Sequence, residues 1–323
     1  MKLRAIGFSL SLLAIVPLAH GSALEGERYR VIISSDIGGS DADDIQSFIH
    51  YLVYADLFDT EGLISSPPHD GRKADFLKYI DVYEKDYPQL RKHSERYPSP
   101  DDLRGMTKQG HTETAPEAGY RESTEGSDWI IECARRDDPR PLYVLVWGSI
   151  TDVAQAVHDA PEIKEKIRVY FIASWNYRQD PHAAEYLREE HPDLWMIYCD
   201  TTFRGWYVGG EQSDDLGNRA FIQQHIDDHG ALGKAFAPLK SGAIKMGDTP
   251  SVAYLLWGDP SDPTTPSWGG RFAPVAGHPQ WWTDLTDPAL KSGRYDGAKT
   301  VNRWREDYLR DWQQRMDRLV EAP

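Results

Sequence analysis

Four carboxylates crowd one short stretch of the chain, Ser34-Ser-Asp-Ile-Gly-Gly-Ser-Asp-Ala-Asp-Asp44, as Asp36, Asp41, Asp43 and Asp44. Carboxylates this close repel one another unless protons or a cation compensate, and a hard divalent ion such as Ca²⁺ takes about six to eight oxygen ligands of this kind. Asp41 or Asp43 alone would read as the cap of a following helix. All four together point to a metal or substrate site. Gly38 and Gly39 free the backbone to curl and converge the side chains. The stretch is not an EF-hand, since the ligand spacing and the closing Glu are absent.

The elements that must position this loop follow from the apolar pattern. Residues 29–34 form a short β-branched strand, the acidic loop follows, and an amphipathic stretch covers 44–57. The alternation then repeats, with strands over 60–65, 141–147, 167–172 and 194–198 and helices over 71–87, 126–136, 151–159 and 181–190. Strands apolar on both faces, alternating with helices, predict an α/β fold with a mostly parallel central sheet and helices on both faces. The acidic loop then lies at the carboxyl edge of the sheet, where open α/β sheets bind ligands. Asn176, after the strand over 167–172, is a polar candidate at the same edge. Residues 87–121 are polar, rich in Pro and charge, and read as a long excursion or cap. A final amphipathic helix near 300–320 carries Trp304, Tyr308, Trp312 and Met316 at helical spacing, which predicts packing onto the domain.

Composition narrows the function classes. With 51 Asp and Glu against 36 Lys and Arg, the formal charge is −15, which argues against an electrostatically driven partnership with nucleic acid or anionic lipid. Residues 1–23 have a basic start, an apolar run from Phe8 to Leu18 and small residues beyond it, the pattern of a signal peptide; a periplasmic or secreted address follows. No later segment is long and apolar enough for membrane insertion, and residues 24–323 read as a single domain. Cys133 and Cys199 cannot build a disulfide framework and read better as two buried small hydrophobes than as one bridge. Eleven Trp, among them Trp175, Trp206, Trp257, Trp268, Trp281 and Trp282 in loop-like sequence, raise a carbohydrate-binding alternative, because sugars stack on such rings.

Three segments in register resemble the nucleoside hydrolases. They are the strand ending in Asp36 with its Gly and Asp pair, Leu145-Val-Trp-Gly-Ser-Ile-Thr-Asp-Val-Ala-Gln-Ala-Val157, and Lys245-Met-Gly-Asp-Thr-Pro-Ser-Val-Ala-Tyr254. The nearest likeness is to the nucleoside hydrolase-like domain of the cellulose-binding protein family, over about residues 29–270. The resemblance implies Ca²⁺ as cofactor, with Asp36, Asp44, Asp248 and the backbone carbonyl of Trp147 as ligands. It further implies that Asp36 accepts the proton of the attacking water, that Asp43 holds a sugar hydroxyl, and that Asp44 binds metal and sugar together. Asp200 falls near the family's sugar-binding Asn.

Two positions depart from the family pattern. Ser34 stands where the signature has its first Asp, and Gly247 stands where the late segment often has a His that could protonate the leaving group. His69, after the second strand, is a replacement candidate for that acid. The implied activity is a metal-dependent hydrolysis of N-glycosidic or related glycosyl bonds, on a nucleoside, a glycoside or a polysaccharide fragment. The alternative is a noncatalytic cellulose- or oligosaccharide-binding module on the same fold. The sequence leaves open whether the chain forms a homo-oligomer.

Overall fold

A computed structural model describes residues 28–39, 41–68 and 71–320 of the protein. The signal-peptide segment and His69 lie outside the described residues. The chain runs β1 (Tyr29–Ser35), α1 (Asp43–Val53), β2 (Phe58–Ser65), α2 (Lys73–His93), α3 (Pro100–Gly105), β3 (Thr107–Gln109), α4 (Glu125–Arg135), β4 (Leu142–Val146) and α5 (Thr151–Asp159). It continues through β5 (Ile167–Ile172), α6 (Ser174–Gln179), α7 (Pro181–Glu190), β6 (Met196–Cys199), α8 (Asn218–His225), α9 (Gly230–Phe236) and α10 (Thr249–Leu256). It closes with β7 (Phe272–Val275), β8 (His278–Asp284), α11 (Lys299–Asn302) and α12 (Arg305–Asp317).

The eight strands form one sheet in the order β3-β2-β1-β4-β5-β6-β8-β7, parallel except for the β7–β8 pair. Side chains alternate across β1: Val31 and Ile33 enter one apolar core with Tyr143 and Leu145 of β4, while Ile32 enters the other with Val144 and Val146. Both faces are therefore covered, which is why β4 and the middle of β1, Val31–Ile33, read as continuous apolar runs. The strand order reverses between β1 and β4, so the chain leaves a crevice where their carboxyl ends diverge. Asp36 follows β1 and Trp147 follows β4, and the Trp147 N–H donates to the Ser34 carbonyl at 2.7 Å.

Cys133 and Cys199 are both buried and free. They sit in the two different apolar cores, on opposite faces of the sheet, so no bridge joins them. Among the described residues no helix is long and apolar enough to cross a membrane.

The excursion over 87–121 is more ordered than its composition implies. α2 runs through Pro88 to His93, and Thr107–Gln109 adds an edge strand pairing parallel with β2. The segment does not cover the carboxyl-edge cavity; it is tied to α5, where the Asp152 carboxylate accepts the His111 N–H at 3.0 Å and the Gln155 side-chain oxygen accepts the Arg121 N–H at 2.6 Å. The helix expected over 300–320 breaks near Trp304 into α11 and α12, and its Tyr308, Trp312 and Met316 are buried as their spacing predicts.

At the opposite end of the sheet a fully buried Arg30 is held by Glu61, with Nε–Oε1 at 2.6 Å and Nη2–Oε2 at 2.9 Å. Removing that carboxylate would leave the buried guanidinium only Asp138, whose Oδ2 stands 3.8 Å from its Nε, as counter-charge. Glu61→Ala is expected to cost about 3–5 kcal/mol of stability, read by urea unfolding. A loss below about 1 kcal/mol would show that the Cys133 and Arg140 carbonyls, which also accept from Arg30, suffice to hold it.

Candidate active site

Asp36, Asp41, Asp43, Asp44 and Asp248 line one cavity of about 290 Å³ at the carboxyl edge of the sheet. They come from three places in the chain. Asp36 ends the backbone run of β1, where Gly38 adopts φ +91° and leaves no room for a side chain beside the Asp75 carboxylate. Asp43 and Asp44 open α1, where carboxylates are favoured by the helix dipole. Asp248 precedes α10, and the two helices pack together.

Several buried hydroxyls and an amide fix this geometry. Ser35 Oγ donates to Asp44 Oδ1 and also accepts the Ile37 N–H, which ties the loop to α1. Ser47 of α1 reaches Asp248 Oδ2 at 3.5 Å. The Trp147 indole donates to Ser251 Oγ, which in turn donates to the Asp248 carbonyl, joining the end of β4 to α10. Gln46 is buried on α1, accepts the backbone N–H of Lys245 and Met246, and donates to the Ala243 carbonyl. It thereby holds the segment leading into Asp248. Met246 at φ 40° and Ser174 at φ 34° are strained for non-glycine residues, and both flank the cavity. Gly148 lets β4 approach, because a Cβ there would come within 2.7 Å of the Asp36 nitrogen.

The electrostatics are those of crowded, desolvated acids. Burial, then the Asp43 charge, lifts the Asp36 carboxyl to about 7. Burial also lifts Asp43, to about 6. Asp44 and Asp248 are raised by burial, then by neighbouring carboxylates: Asp36 first for Asp44, Asp43 first for Asp248. Asp41 behaves differently. Burial acts to raise it, but the Lys240 and Lys245 ammonium groups outweigh that and hold it below the usual carboxylate range.

Asp36, Asp44 and Asp248 have no Lys, Arg or His ion-pair partner among the described residues, in contrast to Asp41. Three buried carboxylates without a basic side chain are the donor set a hard cation requires. The Trp147 carbonyl lies on the same wall and accepts the Asn176 amide at 2.7 Å, with a second lone pair remaining. The residues therefore fit Ca²⁺ in kind. Among the described residues, however, no three His, Cys, Asp or Glu side chains are already drawn into a coordinating cluster; the hydroxyls of Ser35 and Ser47 hold Asp44 and Asp248 to the walls.

Of the residues singled out from sequence, Asp36, Asp43, Asp44, Trp147, Asn176 and Asp248 share the cavity. Asn176 is turned to an inner task, since its amide N–H groups donate to the Trp147 and Ile172 carbonyls, leaving Oδ1 to face other partners. Asp200 does not line the cavity. The chain bends just after it into a 3₁₀ turn, Thr202–Trp206, which presents Phe203 and Arg204 instead. Arg204, Tyr207 and Lys245 were not anticipated; their one sequence signal is proximity to the predicted end of β6 and inclusion in the late segment. Gly247 has a physical reason to be glycine, because a Cβ there would stand 2.8 Å from Asp43 Oδ2. A His side chain at that position would displace Asp43.

Residues 30–272 match the family described as Cellulose-binding Sde182, nucleoside hydrolase-like domain. The chain belongs to this family. Among solved structures, this Sde182-family domain is similar to a nucleoside hydrolase-related hypothetical protein from Saccharophagus degradans that is associated with carbohydrate metabolism. The two are 29% identical over 92% of this chain and 73% of the other, with a TM-score of 0.72. A plant nucleoside hydrolase shares the fold at 14% identity and TM-score 0.53, covering 90% of this chain and 99% of its own. A purine-preferring ribonucleoside hydrolase from Gardnerella vaginalis does so at 15% and 0.50, covering 90% and 98%. A search of curated proteins gives no significant match.

Proposed function

We propose that this Sde182-family domain is a secreted, Ca²⁺-dependent hydrolase of N-glycosidic or related glycosyl bonds. The observation that carries this reading is the meeting of Asp36, Asp43, Asp44 and Asp248 in one cavity, with Asp36, Asp44 and Asp248 free of any basic ion-pair partner among the described residues. Asp36, Asp44, Asp248 and the Trp147 carbonyl would hold the ion, which when bound would acidify and orient a water. Asp36 takes the proton from the attacking water. Asp43 accepts a hydrogen bond from a sugar hydroxyl, and the ring of carboxylates favours the positive charge that develops on the sugar as its bond to the leaving group breaks. A single displacement by water inverts the anomeric carbon.

Inosine, uridine and 4-nitrophenyl glycosides, assayed with Ca²⁺ and with EDTA, test the reading. Turnover that EDTA abolishes and Ca²⁺ restores is expected. Turnover indifferent to EDTA, or none on any of these substrates, would count against it.

The same acids fix a pH dependence. Their folded-state pKa values are raised above the unfolded ones, so between about pH 4 and 7 the folded metal-free protein binds more protons than the unfolded chain. Its stability is therefore expected to fall as pH rises through that window. Ca²⁺ must displace those protons, so its affinity should rise over the same range. Thermal melts at pH 5 and 8, with and without Ca²⁺, read both effects; a Ca²⁺-induced shift larger at pH 5 would contradict them.

One observation favours the noncatalytic alternative. Trp175 is 50% exposed and stands on the cavity wall, the stacking platform a sugar binder needs. The other aromatic candidates are committed elsewhere: Trp206 and Trp281 are buried, Trp257 packs with Trp268 and Trp304, and Trp282 packs on Trp195. A pure binder would lose cello-oligosaccharide affinity in Trp175→Ala and show no turnover in any form.

A further inference from the structure

Arg204 is the unexplained charge of the cavity. Its Nη1 donates to the Tyr207 hydroxyl at 2.9 Å and its Nη2 to the Ser174 hydroxyl at 3.1 Å. The guanidinium lies against the Phe203 and Tyr295 rings, 4.8 and 5.0 Å from their centroids. Its Nε is buried and has no hydrogen-bond partner among the described residues. A guanidinium carries five N–H donors, so three remain.

An arginine present to offset the cavity's carboxylates would pair with one of them. Arg204 makes no ion pair among the described residues, although it lines the same cavity as Asp36, Asp43, Asp44 and Asp248. The lysines nearby are committed to Asp41, with Lys245 also 3.8 Å from Asp43. Arg178 adds a second positive charge on the adjoining wall, its guanidinium 5.4 Å from the centroid of the half-exposed Trp175 ring and likewise without an ion pair among the described residues. Hydroxyls and aromatic faces orient a guanidinium without neutralising it. That is the arrangement that recognises an oxyanion, by charge-assisted hydrogen bonds with little reorganisation.

We propose that Arg204 binds an oxyanion on the substrate, a carboxylate or a phosphate, so that the cavity takes an anionic glycoside. The proposal rests on the glycosidase reading of the site and names its substrate class. The cavity is then bipolar. Its acid floor repels the substrate's anionic group and Arg204 attracts it, which turns the anomeric carbon toward Asp36. At about 290 Å³ the space suits one sugar ring with a small charged substituent.

Calorimetric titration of the intact chain, in excess Ca²⁺, with glucuronic acid against glucose and with ribose 5-phosphate against ribose tests this. At least one anionic sugar is expected to bind roughly 10- to 100-fold tighter than its neutral counterpart. Arg204→Gln, with its fold checked by circular dichroism, should bring the anionic sugar's affinity down to that of its neutral counterpart, and Arg204→Lys should restore part of the gap. The pair with the larger gap identifies carboxylate or phosphate as the group recognised. Equal affinities, a preference that survives Arg204→Gln, or no detectable binding of either anionic sugar overturns the proposal. The readout is binding, so an anion preference without Asp36-dependent turnover would sink the hydrolase reading alone. Turnover of neutral nucleosides without an anion preference would sink this proposal alone.

Discussion

Asp36→Asn is expected to fold as the wild type does and to lose turnover by roughly a thousandfold or more. The side chain keeps its size and its place beside Gly148, but the amide cannot accept the water's proton and is a weaker oxygen donor to a cation. The same change removes a buried negative charge from a cluster of like charges, so the metal-free variant should be no less stable than the wild type at pH 8 and is expected to melt at a higher temperature. Opposite movement of activity and stability separates a reacting group from a structural one. Steady-state rates and thermal melts on the same preparation read it. A variant that retains wild-type turnover removes Asp36 as the base, and one that fails to fold shows that the carboxylate is a structural anchor.

Asp44→Ala and Asp248→Ala are each expected to lower Ca²⁺ affinity by about a hundredfold or more, measured by calorimetry. Each removes one of three carboxylates from a small ligand set, and in a hard-cation site the charge count sets the affinity. The two residues lie far apart in the chain, yet burial and then neighbouring carboxylates, Asp36 among them, raise both, so losing either should have similar consequences. Asp41→Ala is the control. Its charge is spent on Lys240 and Lys245, so Ca²⁺ affinity should change by less than about tenfold in that variant. If Asp44→Ala and Asp248→Ala bind Ca²⁺ as the wild type does, the proposed ligand set is wrong.

The parallel core was legible because β1, β4 and β5 are buried on both faces and their side chains are accordingly apolar. The β7–β8 hairpin was not. Pro274 argues against a strand, yet β7 is the sheet's edge, where a missing N–H costs no ladder bond. β8 is half exposed and carries Pro279, so it shows neither an apolar run nor a clean alternation. α2 was placed too short because Pro88 reads as a stop, whereas the packing of Tyr83 and Leu90 carries the helix past it.

In the site, the aspartates were visible because four carboxylates in one loop have few structural uses. Asp248 could be joined to them only through its likeness to a family segment, since nothing local links residues some two hundred positions apart. Arg204 gave no signal of its own, because its significance lies in the ion pair it does not make. Asp200 misled for a related reason: it sits at the correct edge of the sheet, but the turn that follows swings Phe203 and Arg204 into the cavity in its place.

Diffraction from crystals grown in Ca²⁺ and in EDTA would test most directly whether these acids serve a cation. One calcium peak is expected between Asp36, Asp44, Asp248 and the Trp147 carbonyl, lost in EDTA. A cavity without that peak in saturating Ca²⁺, its carboxylates still hydrogen-bonded to Ser35 and Ser47, would contradict the account.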